Sequence, residues 1–183
     1  MSDSMGRYVH ELGNLKRVAR SGWWLAGIRH PESVAEHSWR TAMIALTLAD
    51  MEGADPFRAA ALALLHDVGE ARVGDTHRLG RRYLETDEAE DRVFRDQVEG
   101  LPETVRARLE ELWVEYGEQS TPESKIAKDA DRLECLFQAR EYAASGHPVD
   151  EWIESSRRAL KTKSAQDVAD DDPGSESWRL CEG

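Results

Sequence analysis

Apolar side chains recur along this chain at three- and four-residue intervals, and no segment alternates apolar with polar positions, so the pattern predicts helices throughout. Leu12, Leu15 and Val18 fall near helical spacing and predict a first helix over 4–19. The stretch RSGWWLAGIRHPES that follows carries two glycines and a proline and reads as a loop. Ser33, with Glu36 three residues later, has the form of a capping box opening a helix from about Ser33 to Met51, and Gly53 closes it. Asp55 and Pro56 open the next helix. It carries Ala59 to Leu65, apolar on every side, and is expected to be the central buried helix, ending around His66 to Gly69. Glu85 to Glu99 predicts a charged, exposed helix. Pro102 opens one that runs to about Tyr116 and turns Val105, Leu109, Leu112 and Trp113 inward. Thr121 and Pro122 open a long helix with Ile126, Ala130, Leu133 and Phe137 on its inner face. Pro148 precedes a last short helix from Val149 to about Leu160, and the remaining SAQDVADDDPGSESWRLCEG is acidic and irregular, expected to be poorly ordered. The fold expected is all-α.

Length and charge narrow the function. A chain of 183 residues suits one compact domain with a real core. The longest apolar run is the seven residues Ala59 to Leu65, against about 20 needed to span a bilayer, so no membrane span is expected. The opening MSDSMGRYVHELG has no apolar signal-peptide core, and a soluble cytoplasmic protein is expected. A formal net charge of −12 repels nucleic-acid backbones and anionic membranes, which argues against duplex binding. The basic residues are 19 arginines and only five lysines (Lys16, Lys125, Lys128, Lys161 and Lys163), a surface compatible with a salt-rich cytoplasm. Cys135 and Cys181 form no CxxC pair. Cys135 reads as a small core residue in a helical pattern, and no role is expected for Cys181 in the tail.

The candidate chemistry lies at the helix ends. His66 and Asp67 are adjacent, at the end of the most apolar helix, where an ionised carboxylate is costly without a cationic partner. His37 sits on the first turns of the preceding long helix, and Asp131 on the inner half of the Thr121 helix. Alone, His37 reads as a capping or surface group and Asp131 as part of a solvated face. Together, two imidazoles and two carboxylates from three helices make a mixed nitrogen and oxygen donor set that suits one divalent transition metal, with Mn, Fe, Co, Ni and Zn all open.

The order H…HD…D, set in PESVAEH around His37, ALLHDVGEARVGD around His66 and KDADRLE around Asp131, resembles the HD superfamily of metal-dependent phosphohydrolases. Within it the contexts, with LKRVARSGW at the start and ELWVEYGEQSTPESK before the last aspartate, are similar to the 5′-deoxynucleotidase branch over about Leu12 to Tyr142. That resemblance implies His37, His66, Asp67 and Asp131 as metal ligands. It also implies Glu70 as the group that activates or orients the attacking water, Asp75 as a sugar contact, and an Arg–Trp pair near the substrate. Glu70 stands one helical turn from Asp67, which agrees with a place at the same site. Trp23 keeps the family spacing to His37, but Gly22 stands where the bacterial branch has its arginine, so Arg20 is the substitute cation, with Lys16 and Arg40 as alternatives for binding phosphate. Only His77 lies between the HD pair and Asp131, where dinuclear relatives place two further histidines, so a mononuclear site is implied.

The resemblance implies an orthogonal bundle of about five core helices with peripheral ones, one HD domain over 1–162 and an acidic tail over 163–183. The expected reaction is release of phosphate from a small-molecule phosphomonoester, a deoxyribonucleoside 5′-monophosphate, by an enzyme whose relatives often form homodimers. A nucleoside triphosphate or a non-nucleotide phosphate as substrate, or a module that binds without turnover, are the rival readings.

Overall fold

The computed structural model describes residues 2–171 and 174. Among them are nine α-helices, three short 3-10 segments and no strand, so the all-α expectation holds. Cys181 and the acidic end of the tail lie outside the described residues.

The first helix, α1 (Ser2–Leu12), stops earlier than the apolar spacing predicts and gives way to a 3-10 turn at Gly13–Lys16. The cause is tertiary. The backbone at Val18 to Arg20 pairs with the returning strand-like segment instead of continuing a helix: Val34 N donates to Val18 O at 2.9 Å and Arg20 N to Glu32 O at 3.0 Å. The expected loop between them contains a 3-10 turn, Ser21–Ala26, ended by Gly27 in the left-handed region. Trp23 at its centre anchors a small apolar cluster with Ala26, Ile28, Ala139 and Val149.

Helix α2 (Val34–Glu52) opens with the expected capping box between Ser33 and Glu36 and closes at Gly53, whose φ of 72° suits only glycine without strain. Helix α3 (Pro56–Leu65) is capped by Asp55, which accepts from Phe57 N and Arg58 N. It is less central than an all-apolar helix implies. Ala59, Leu62, Ala63 and Leu65 are buried, while Phe57 and Leu64 face outward. After a tight turn at 66–69 comes the four-residue α4 (Glu70–Val73), then α5 (Thr86–Val98), α6 (Glu103–Glu118), α7 (Pro122–Ala144) and α8 (Asp150–Ala159). Helix α5 is charged, as expected, but not simply exposed: Phe94 and Val98 are buried, and Phe94 stacks on Trp113 of α6 with ring centroids 4.3 Å apart. On α6, Leu112 is buried and Leu109 and Trp113 half-buried, whereas Val105 is exposed. The helices α2, α3 and α7 pack on one another and form the frame.

The segment after residue 162 departs from the expected irregular tail. Lys163–Asp170 forms α9, capped by Thr162, and Ala165 and Ala169 are fully in the core against α7 and α2. Its apolar stripe of Ala165, Val168 and Ala169 has helical spacing but is short and set among acids, so its burial is decided by the surface it meets. The anchor comes from α7. Asp129, completely buried, accepts from Lys161 N at 2.7 Å and Thr162 N at 2.6 Å, and from Arg132 Nη1 at 3.1 Å. Arg132 also donates to Ala159 O.

Asp129→Ala leaves two part-buried backbone N–H groups and a guanidinium short of a partner. It is expected to lower unfolding free energy by about 2–3 kcal/mol, with Asp129→Asn losing less. Urea unfolding of both variants checks this, and equal midpoints with the unaltered protein would refute the anchoring role.

Candidate metal centre

The three frame helices bring the sequence-identified ligand set together. His37 lies on the first turns of α2, His66 and Asp67 on the turn that ends α3, and Asp131 on the inner face of α7. His37 Nε2 is 3.3 Å from His66 Nε2, 3.3 Å from Asp131 Oδ1 and 3.8 Å from Asp67 Oδ2. His66 Nε2 is 3.0 Å from Asp67 Oδ2 and 3.8 Å from Asp131 Oδ1. His37, His66 and Asp67 offer donor atoms within 4.8 Å of one another, and Asp131 Oδ1 joins them through its approaches to the two imidazoles.

The far side of each imidazole fixes its chemistry. His66 Nδ1 lies 2.7 Å from Ala63 O, and a carbonyl only accepts, so Nδ1 carries the proton and Nε2 presents a lone pair. His37 Nδ1 meets the completely buried carboxylate of Glu134, which in turn accepts from Arg40 Nε at 2.9 Å and Nη2 at 2.6 Å. Both Nε2 atoms and two carboxylate oxygens therefore aim electron pairs into a space that needs a cation. Without a metal a proton serves: burial and Arg20 oppose a charged His37, but Asp131 and Glu134 outweigh them and push its pKa up to about 9. Burial would raise Asp67 and Asp131. His66 and Arg20 instead hold Asp67, and Lys128 and His37 hold Asp131, below the usual carboxylate range. The residues fit a divalent metal.

Glu70 stands beside this cluster at the start of α4, completely buried, and neither of its carboxylate oxygens has a hydrogen-bond partner among the described residues. Burial, then the negative charges of Asp67 and Asp75, push its pKa up to about 10. A nearby metal cation reverses part of that bias.

Arg20 and Asp75 lie together on the open side. Arg20 Nη1 donates to Asp67 Oδ2 at 3.1 Å and stands 4.0 Å from Asp75 Oδ1. The other Asp75 oxygen accepts from Ser21 N, and Ser21 Oγ donates to Asp75 O at 2.9 Å. Asp75 thus shapes the turn that carries Arg20. Trp23 is 2 % exposed, donates Nε1–H to Glu32 and packs against Tyr142 and Trp152, so only an edge of it reaches the substrate side. The alternative cations are elsewhere. Arg40 is spent on Glu134, Glu141 and Gln138, and both it and Lys16 line a separate cavity of about 850 Å³, which contains none of the four ligand-type residues. His77 caps a local turn by accepting from Gly80 N, and among the described residues it joins no candidate metal group.

Two smaller cavities adjoin the cluster. One of about 290 Å³ is lined by Arg20, Trp23, Asp75, Thr76 and Trp152 among others. The other, about 360 Å³, lies against His66, Trp113, Tyr116 and Gln119. Asp67, Arg81 and Lys128 line both. Cys135, half-buried at the back of the first, has its thiol pushed up to about 12 by burial and is inert, as a small core residue should be. Three residues of this neighbourhood escape the sequence reading. Glu134 and Lys128 stand three positions either side of Asp131 on one helix face, a spacing that marks them as its neighbours. Tyr116, whose ring centroid is 5.4 Å from that of His66, carries no local signal.

Comparison with known proteins agrees with this geometry. The chain is 37% identical over 141 residues to a zebrafish (Danio rerio) protein named 5′-deoxynucleotidase HDDC2, covering 76% of this chain and 70% of that one. It is 36% identical over 145 residues to the Homo sapiens protein of the same name, covering 79% and 71%. A solved structure of a conserved hypothetical protein from Pyrococcus furiosus superposes with a TM-score of 0.75 at 34% identity, over 89% of this chain and 95% of that one. Another, described as a predicted metal-dependent phosphohydrolase from Magnetospirillum magnetotacticum, gives 0.72 at 25% identity, over 92% and 88%. The sequence model of the HD domain matches residues 12–170, reaching through α9, and the chain belongs to the HD domain family.

Proposed function

We propose that this protein is a metal-dependent phosphomonoester hydrolase that releases phosphate from deoxyribonucleoside 5′-monophosphates. The observation that carries the reading is the buried, unpartnered carboxylate of Glu70 beside four converging ligand-type groups. The names of the relatives at 36–37% identity support the substrate class. His37, His66, Asp67 and Asp131 would hold a single divalent transition metal, which would supply Lewis acidity at the phosphoryl group. Cobalt, manganese, nickel, iron and zinc all suit these donors.

The chain's own groups do the rest. Glu70 accepts a proton from the attacking water as its oxygen bonds to phosphorus. The bond from phosphorus to the 5′ oxygen breaks, and that oxygen takes up the proton that Glu70 accepted, so the products are the nucleoside and inorganic phosphate. Arg20 spends one N–H on Asp67, and its remaining donors are free to take phosphate oxygens bidentately. Asp75, at the mouth of the cavity of about 290 Å³, accepts from the sugar hydroxyl, and Trp23 closes that cavity from behind. The net charge of −12 supports a free small-molecule substrate over duplex nucleic acid. A cytoplasmic homodimer completes the reading.

Three outcomes test it. His66→Ala and Asp67→Ala are each expected to lose both bound metal and phosphate release. Full metal content in both, by elemental analysis, would refute the ligand assignment. Glu70→Ala is expected to keep its metal and bind a deoxynucleoside monophosphate as the unaltered protein does, while kcat falls about 10²–10⁴-fold. Unchanged kcat would leave Glu70 an ordinary carboxylate, and lost metal would make it a ligand. For the sugar, kcat/KM is expected to favour deoxyribonucleotides, and Asp75→Asn, which can still accept from Ser21, should relax that preference. Equal kcat/KM for the two sugars in the unaltered protein would sink the sugar role.

A further inference from the structure

Charge balance leaves the proposed site short of at least one cation. Asp67 and Asp131 offset a divalent metal, so a phosphomonoester dianion adds two negative charges that only protein cations can meet. Arg20 supplies one. Three other cations line the adjoining cavities, and two of them are committed elsewhere. Arg78 is held by Glu151 through two contacts and stacks over Trp152, half-exposed. Arg81 donates to Thr76 O and stands 3.5 Å from Asp87 and 3.6 Å from Glu90.

Lys128, like Arg81, lines both cavities, and its ammonium has three N–H donors. One goes to Asp131 Oδ2 at 2.9 Å and one to the Tyr116 hydroxyl at 3.3 Å, and the third has no partner among the described residues. The Tyr116 ring lies under the ammonium with its centroid 5.4 Å away, which fixes the flexible four-carbon stem. Asp131 turns its other oxygen, Oδ1, toward His37. Lys128 is therefore one carboxylate width from the ligand cluster. Arg20 stands on the other carboxylate, paired with Asp67 Oδ2, the oxygen that also faces His66.

Resting on the hydrolase reading, we propose that Lys128 is a further catalytic residue: its free N–H binds a non-bridging phosphoryl oxygen opposite Arg20, so that the two cations clamp the phosphate between them. Tyr116 is then a positioning residue that holds the ammonium at the junction of the two cavities.

The test compares the metal-loaded protein with Lys128→Met and Lys128→Arg, using inorganic phosphate as the probe, alongside metal content, melting temperature and steady-state kinetics. Lys128→Met is expected to keep its metal and its melting temperature and to bind inorganic phosphate at least about tenfold more weakly. Its kcat/KM for a deoxynucleoside monophosphate should fall about 10²–10³-fold, the usual cost of losing one charge-stabilising donor. Lys128→Arg keeps the charge and should recover most of the phosphate affinity. If both variants bind phosphate within twofold of the unaltered protein, the proposal is overturned. It is also overturned if Lys128→Met loses metal, because the lysine then acts only through Asp131. Should Lys128→Met fail to fold, Lys128→Gln replaces it in the same titration, with the same deciding outcomes. Failure of the hydrolase reading looks different: no monophosphate is turned over by the unaltered protein with any metal, while phosphate still binds in a manner that depends on Lys128.

Discussion

Two imidazole nitrogens that both present lone pairs, 3.3 Å apart and flanked by two carboxylates, cannot share a buried space without a cation between them. The rest of the site follows from that constraint. It accounts for the Ala63 carbonyl on one imidazole and the Glu134 carboxylate on the other, which commit both far nitrogens. It also accounts for Arg40, whose ion pair with Glu134 keeps that buried carboxylate satisfied. A proton on His37 meets the constraint in the free protein, and a divalent metal meets it with the charge and open positions that hydrolysis needs.

The fold serves this arrangement by rigidity. Every ligand-type residue sits on or directly beside one of the three helices that pack most intimately, with their caps built from local chemistry: Ser33 with Glu36, Asp55, and Thr121 with Ser124. Asp129 and Asp131 divide the work on α7. The former, turned toward α9, secures the end of the chain, and the latter, turned inward, faces the histidines. Two residues along a helix is about half a turn, which is why neighbouring carboxylates in KDADRLE face different parts of the molecule.

Charge is distributed around the centre in the same economical way. Arg20 and Lys128 each pair with one of the two carboxylates of the cluster while keeping donors free, whereas Arg40, Arg78 and Arg81 are tied to other acids. Two cations beside the cluster thus keep donors that an anion could meet, while the net charge of −12 discourages polyanions.

The sequence alone determined the helical class and most helix boundaries and named the candidate ligand residues, because these rest on local rules: caps at fixed spacing, glycine at left-handed positions, and the H…HD…D order with its flanking words. The family match confirms the resemblance from which the ligands were named. What local rules do not contain, the tertiary structure decided. The end of α1 is set by backbone pairing with residues 32–34, and α9 forms because its short apolar stripe finds a surface and the buried Asp129. Arg40, one turn from His37, reads as a phosphate ligand in sequence yet turns to Glu134, because α7 offers it a buried carboxylate. Lys128 reads as one charge among many until Tyr116, twelve residues away and on another helix, places it over the site. Periodicity gives each helix its face, but which partner that face meets depends on long-range packing.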